Sequence, residues 1–152
     1  MGSGALRRAV CLSMLVPVLL AFTSCASPGG DSPEGGSLEG VQWRLTESSI
    51  SSTDLGAAGI TATFSKGTVS GFSGVNTYSG SCTAKADGAF QTGPLASTEM
   101  AGPEALMRAE SAYLVLLASA RRYRRGGTIL TLFGAGDNEL LIFESGGKSG
   151  SS

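Results

Sequence analysis

One run of residues without glycine or proline, Glu104 to about Ala118, stands between two stretches that read as short strands and turns. Its residues are strong helix formers, and Leu106, Ala109, Tyr113, Leu116, Leu117 and Ala120 recur at intervals of three, four and seven. That spacing predicts one apolar stripe facing a core, with Glu104, Arg108 and Ser111 turned away from it. Leu114 and Val115 widen the apolar surface. Pro103 suits the first helical position, where its missing N–H is not needed, and Glu104 lies at the positive end of the helix dipole. A helix this apolar calls for a sheet curved around it.

The residues before it supply such a sheet. Trp43 and Leu45 share one face of a first strand within Leu38 to Leu45, and Ser48 to Gly59 is a loop. Ile60 to Phe64 and Val69 to Phe72 flank a turn at Ser65 to Thr68. Tyr78 to Lys85 and Ala89 to Thr92 flank a second turn at Asp87-Gly88, with the strand pattern ending near Pro94. After the helix, Arg121 to Arg125, Thr128 to Phe133 and Glu139 to Phe143 form a second meander. The expected fold class is α+β, an antiparallel meander curled into a partial β-barrel. One long helix is inserted between the N-terminal and C-terminal strands.

Gly71 to Gly80 interrupts this regularity with three glycines, Asn76 and Tyr78 around one polar corner. Glycine and asparagine together mark backbone in special conformations. The four arginines around Tyr123 read either as a patch for an anionic surface or as solubilising charge on an exposed strand.

The ends of the chain have another character. Residues 1–24 carry Arg7-Arg8, then an apolar run from Ala9 to Phe22, then small polar residues before Cys25, the pattern of an export signal. Phe22-Thr23-Ser24-Cys25 resembles a lipoprotein box, with Cys25 lipidated as the mature N-terminus; ordinary secretion with cleavage near Ala26 is the alternative. Residues 25–37 have no large apolar side chain and read as a flexible tether spanning on the order of 20 Å. The folded domain is expected over 38–144, followed by a frayed tail over 145–152.

Composition removes several functions. There is no histidine, hence neither the commonest general base nor the commonest transition-metal ligand. Without Arg7 and Arg8, nine of the 11 basic residues remain against 12 acidic ones, so nucleic acid is not an expected partner. Cys11 leaves with the signal and Cys25 carries lipid, so Cys82 is alone and is read as a semi-buried strand residue. Glu99 with Glu110, or Asp137 with Glu139, could be imagined as catalytic carboxylate pairs. Glu110, however, falls near the core face of the helix, where backbone or tyrosine hydroxyl groups would satisfy it. No cofactor is expected.

The segments Gly74-Val75-Asn76-Thr77-Tyr78-Ser79-Gly80 and Ser97-Thr98-Glu99-Met100-Ala101-Gly102-Pro103, with Trp43-Arg44-Leu45 and Met107, Glu110 and Tyr113, resemble the META domain, or HslJ-like, family of bacterial envelope proteins. The resemblance covers roughly Leu38 to Phe143. It implies an envelope role, associated in some bacteria with heat or drug stress, and no catalytic residues. It marks Gly74, Asn76, Tyr78, Gly80, Thr98, Met100, Pro103, Glu110 and Tyr113 as motif residues with structural roles. Family members commonly carry cysteine where this chain has Val75 and Gly102, which implies that those two positions are neighbours. Cys82 stands where a second tyrosine is common.

The resulting expectation is a non-enzymatic, membrane-anchored envelope lipoprotein, monomeric, acting through contacts with another envelope protein. Asn76 should be buried and bonded to backbone. The alternative is a carrier of a small hydrophobic ligand inside the barrel, if Trp43, Phe64, Phe72, Phe90, Tyr113, Phe133 and Phe143 leave room for one.

Overall fold

The computed structural model describes residues 37–48 and 54–146. The signal-like segment, Cys25 and the rest of the tether before Ser37, and the tail beyond Gly146, lie outside the described residues.

Eight strands form one antiparallel sheet: β1 (Gln42–Glu47), β2 (Thr61–Ser65), β3 (Thr68–Phe72), β4 (Thr77–Ala84), β5 (Phe90–Ser97), β6 (Arg122–Gly126), β7 (Ile129–Phe133) and β8 (Glu139–Ser145). The helix α1 (Glu104–Ser119) connects β5 to β6. Strand order is β5-β4-β3-β2-β1-β8-β7-β6, so the two meanders join where β1 pairs with β8. The β2–β3 hairpin turns through Lys66-Gly67, where both residues have positive φ (48° and 74°). That is the twist a two-residue hairpin loop requires.

The sheet curls until its first and last strands meet, but only at one point. Phe90 N–H donates to the Arg121 carbonyl and Tyr123 N–H to the Gly88 carbonyl, both at 2.8 Å. Elsewhere α1 packs against β5 and β8 and fills the open side. The result is the expected half-barrel around one helix.

Alternation along the strands decides what fills it. Trp43, Leu45, Ala62, Phe64, Val69, Leu130, Leu132, Leu141 and Phe143 point inward and are buried, and the helix adds Ala109, Tyr113, Leu116 and Leu117. Edge-to-face aromatic contacts run from Phe64 to Phe90 (6.0 Å between centroids) and from Phe90 to Tyr123 (6.4 Å). Further contacts link Tyr78 to Tyr113 (5.5 Å) and Tyr113 to Phe143 (6.4 Å). Each such pair adds about 1 kcal/mol beyond its area burial.

Several expectations need correction. Phe72 is 37% exposed and lies outside the interior, because Val69 and Gly71 take the inward positions of β3. Phe133 is buried but lies outside the interior cluster, under the Arg124 guanidinium, which stands 5.2 Å above the ring. Val115 is 64% exposed, so the apolar surface of α1 does not extend to it. Strand β5 continues through Pro94 to Ser97; it is an edge strand, where a missing N–H costs no ladder bond. Pro103 is the N-cap and not the first helical residue: its ψ of 136° is extended, and its carbonyl accepts the Met107 N–H at 3.0 Å. Ser145 belongs to β8 and not to a frayed tail.

The four arginines around Tyr123 each have a defined contact. Arg121 donates to the Ala118 and Ala120 carbonyls at the end of α1, where cations are favoured. Arg122 pairs with Asp137 at 2.7 Å on the surface. Arg125 lies 5.4 Å above the Trp43 ring and bonds the Ser37 carbonyl. Among the described residues no helix is long and apolar enough to cross a membrane.

Candidate functional site

The glycine-rich corner is the turn between β3 and β4. Ser73 N–H donates to the Asn76 carbonyl at 2.8 Å, closing the turn, and Gly74 takes φ 118°, which a side chain would resist. This conformation aims the N–H groups of Val75 and Asn76 at a single point. That point is occupied by Glu110, one helical position from the core-facing Ala109.

Glu110 is 8% exposed. Its Oε2 accepts from Ser73 Oγ (2.7 Å), Asn76 N–H (2.8 Å) and Val75 N–H (3.3 Å), and its Oε1 from Asn76 Nδ2 (2.8 Å). Burial pushes this carboxyl upward, but the bonds from the Asn76 side chain, from Ser73 and from the two backbone N–H groups outweigh it. The group is held below its ordinary 4.5. The expectation of backbone partners is met; no tyrosine hydroxyl takes part.

Asn76, at 3% exposure, uses both ends of its amide. Its Oδ1 accepts from Met100 N–H (2.7 Å) and Thr98 Oγ1 (2.8 Å), while Nδ2 donates to Glu110 and to the Met100 carbonyl (3.3 Å). The amide therefore mimics a strand partner for Met100 and fills its two acceptor and two donor positions. Three segments distant in sequence meet at one side chain: the β3–β4 turn, the link from β5 to α1, and α1 itself.

Around this centre the remaining motif residues are supports. Tyr78 hydroxyl donates to the Thr61 carbonyl (3.0 Å), which leaves Tyr113 hydroxyl to donate to Tyr78 at 2.6 Å. Burial raises both phenols far above their ordinary range. Gly80 faces Leu95 beside the irregularity in the β4–β5 ladder. Val75 packs against Gly102: a Cβ on Gly102 would come within 2.7 Å of Val75 Cγ2. Ser73 is the contributor that sequence reading missed; its position inside the glycine-rich corner was the available signal. Both Glu110 oxygens are committed to Ser73, Val75 and Asn76, and Asp137 is paired with Arg122, so neither imagined carboxylate pair assembles with free groups.

Above the cluster opens a recess of about 310 Å³, walled by Thr98, Glu99, Met100 and Met107 with Asn76 and Glu110 beneath. Met100 is 56% and Met107 40% exposed. Among the described residues no group of three His, Cys, Asp or Glu side chains gathers to hold a metal. Cys82 is buried, and burial pushes its thiol up to about 11.

Residues 36–147 match the META domain. The chain belongs to the META domain family. An NMR structure of a protein from Burkholderia xenovorans is similar to this META domain protein at 28% identity and TM-score 0.58, covering 73% of this chain and 85% of that one. A crystal structure of a DUF4847 family protein from Bacteroides vulgatus shares the fold at 14% identity and TM-score 0.55, covering 70% and 93%. Among curated proteins none matches. The META assignment places Asn76, Thr98, Met100 and Glu110 in the family's domain, where their geometry is that of a structural clamp.

Proposed function

We propose that this META domain is a non-enzymatic module of the bacterial cell envelope. In this reading it is exported, anchored through lipid on Cys25, and acts by contact with another envelope protein. The contact face is the recess bearing Met100 and Met107. One observation carries the reading: the polar groups of the site spend their hydrogen bonds on one another, while the two methionines above them face solvent. Methionine is ordinarily buried, and its flexible thioether serves well at adaptable binding surfaces. Glu99 and Glu110 at the same recess favour a partner segment with Lys or Arg beside an apolar side chain.

A photo-crosslinker at position 107 in intact cells should give a discrete adduct with an envelope protein, and one at exposed Thr83 should not. Equal labelling from both positions removes the contact-face reading. Cys25→Ala should release the protein from the membrane fraction; unchanged membrane association removes the anchor.

A carrier of a small hydrophobic ligand is the second reading. What favours it is a recess of about 390 Å³ at the opposite end of the barrel, bordered by Leu38, Phe64, Cys82 and Tyr123. The barrel interior itself is filled by side chains, so a ligand would have to sit at this mouth. A small molecule retained in native mass spectra of the purified protein would favour the carrier.

A further inference from the structure

The chain has four methionines, and the two within the domain, Met100 and Met107, open onto the same recess. Met100 belongs to the link before the helix and Met107 to the first turns of α1. Among the described residues, theirs are the sulfur-bearing side chains that solvent reaches. The competing groups are shielded: Cys82 is 8% exposed and Trp43 is fully buried. Burial also keeps Cys82 in its less reactive thiol form, since it is the thiolate that reacts with oxidants.

The backbone beneath is held independently of the sulfur atoms. Met100 N–H and carbonyl are both bonded to the Asn76 amide, and Met107 N–H bonds the Pro103 carbonyl. A change at either thioether therefore alters the surface and leaves the clamp in place.

We propose that Met100 and Met107 are a modification site, oxidised to sulfoxides by hypohalous acid, which changes the contact face without unfolding the domain. In each step the sulfur attacks the chlorine of hypochlorous acid, forming an S–Cl bond as the O–Cl bond breaks and hydroxide leaves. Water oxygen then replaces chloride on sulfur, releasing chloride and two protons, one of which the hydroxide takes up, so the net products are the sulfoxide, chloride and one proton. Sulfur loses two electrons and chlorine gains them. Sulfoxide oxygen is a strong acceptor carrying negative charge, placed at a recess that already holds the Glu99 and Glu110 carboxylates. It weakens contact with the apolar side chain of the partner segment. Sulfoxide reduction restores the thioether, so the change is reversible. The regulatory consequence rests on the contact-face reading above, whereas the oxidation order does not.

The intact protein treated with limiting hypochlorous acid and mapped by peptide mass spectrometry should gain one oxygen at Met100 and at Met107 before Cys82 or Trp43 is modified. Near-ultraviolet circular dichroism should stay native. Oxidation of Cys82 or Trp43 at the same or lower dose, or loss of the native spectrum with the first oxygen, overturns the proposal. In the Met100→Leu, Met107→Leu variant, which retains apolar side chains, the peptides from residues 37–146 should remain unoxidised at that dose; oxygen appearing there equally fast overturns it as well. The crosslink from position 107 tests the reading beneath it separately. An adduct lost on oxidation and regained on enzymatic sulfoxide reduction supports regulation. An adduct unaffected by complete sulfoxide formation overturns the regulatory part, and absence of any adduct counts against the contact face while leaving the oxidation map intact.

Discussion

Asn76 grips Glu110 twice, through its backbone N–H to Oε2 and through its side-chain Nδ2 to Oε1, each at 2.8 Å. With Ser73 and Val75 it holds a buried helix carboxylate ionised, with no cation bonded to it among the described residues. The same asparagine fixes Met100 on both sides of its peptide group.

Replacing Asn76 with alanine should strand Glu110 Oε1, Thr98 hydroxyl and the Met100 backbone groups. The expected loss is about 3 kcal/mol of unfolding free energy in urea, the scale of buried polar groups losing partners. Asn76→Asp should cost at least as much, because it sets a second carboxylate against Glu110 and removes two donors. A loss below about 0.5 kcal/mol, the range of ordinary surface changes, would mean the clamp is not what joins these segments.

Glu110 makes stability depend on acid. Its folded value lies below the ordinary 4.5, so its contribution is fully present above that value and disappears as pH falls through the lower folded value. Denaturation midpoints measured from neutral pH downward should fall in this window. In Glu110→Gln the curve should be lower at neutral pH and flatter through the acid range; an unchanged slope would assign the acid sensitivity to other groups.

Val75 and Gly102 should accept a cross-link. A Cβ on Gly102 would lie 3.4 Å from Val75 Cβ, at the short edge of disulfide geometry. The double variant Val75→Cys, Gly102→Cys should oxidise spontaneously and gain about 3 kcal/mol over its reduced form. Gly102→Ala alone should destabilise, since Val75 occupies the space. Thiol titration and paired denaturation curves with and without reductant check both outcomes.

The hydroxyl relay gives an ordered pair of effects. Tyr113→Phe removes one donor and should cost about 1 kcal/mol, whereas Tyr78→Phe leaves both the Thr61 carbonyl and Tyr113 hydroxyl short of a partner and should cost about 2 kcal/mol. A double-mutant cycle should show coupling; additive losses would argue against the 2.6 Å contact as an energetic link.

Local pattern determined most of the architecture. Alternation at Trp43 and Leu45, the turn at Lys66-Gly67, the second turn at Asp87-Gly88 and the helical stripe ending at Ala120 each follow from backbone propensity and a two-faced environment. Those causes act over a few residues and leave their mark in the sequence. Val75 beside Gly102 was implied by the family resemblance, through cysteines that relatives commonly carry at those two motif positions. Tertiary structure alone decided the rest. Pro94 stays in a strand because that strand happens to be an edge. Phe133 leaves the interior because Leu130 and Leu132 take the inward positions of β7, and the sheet supplies Arg124 to cover it on the other face. Ser73 and Glu110 become partners only when a turn and a helix more than thirty residues apart are packed together. A hydrogen bond depends on where two atoms lie in space, and sequence spacing does not carry that distance across a sheet of eight strands.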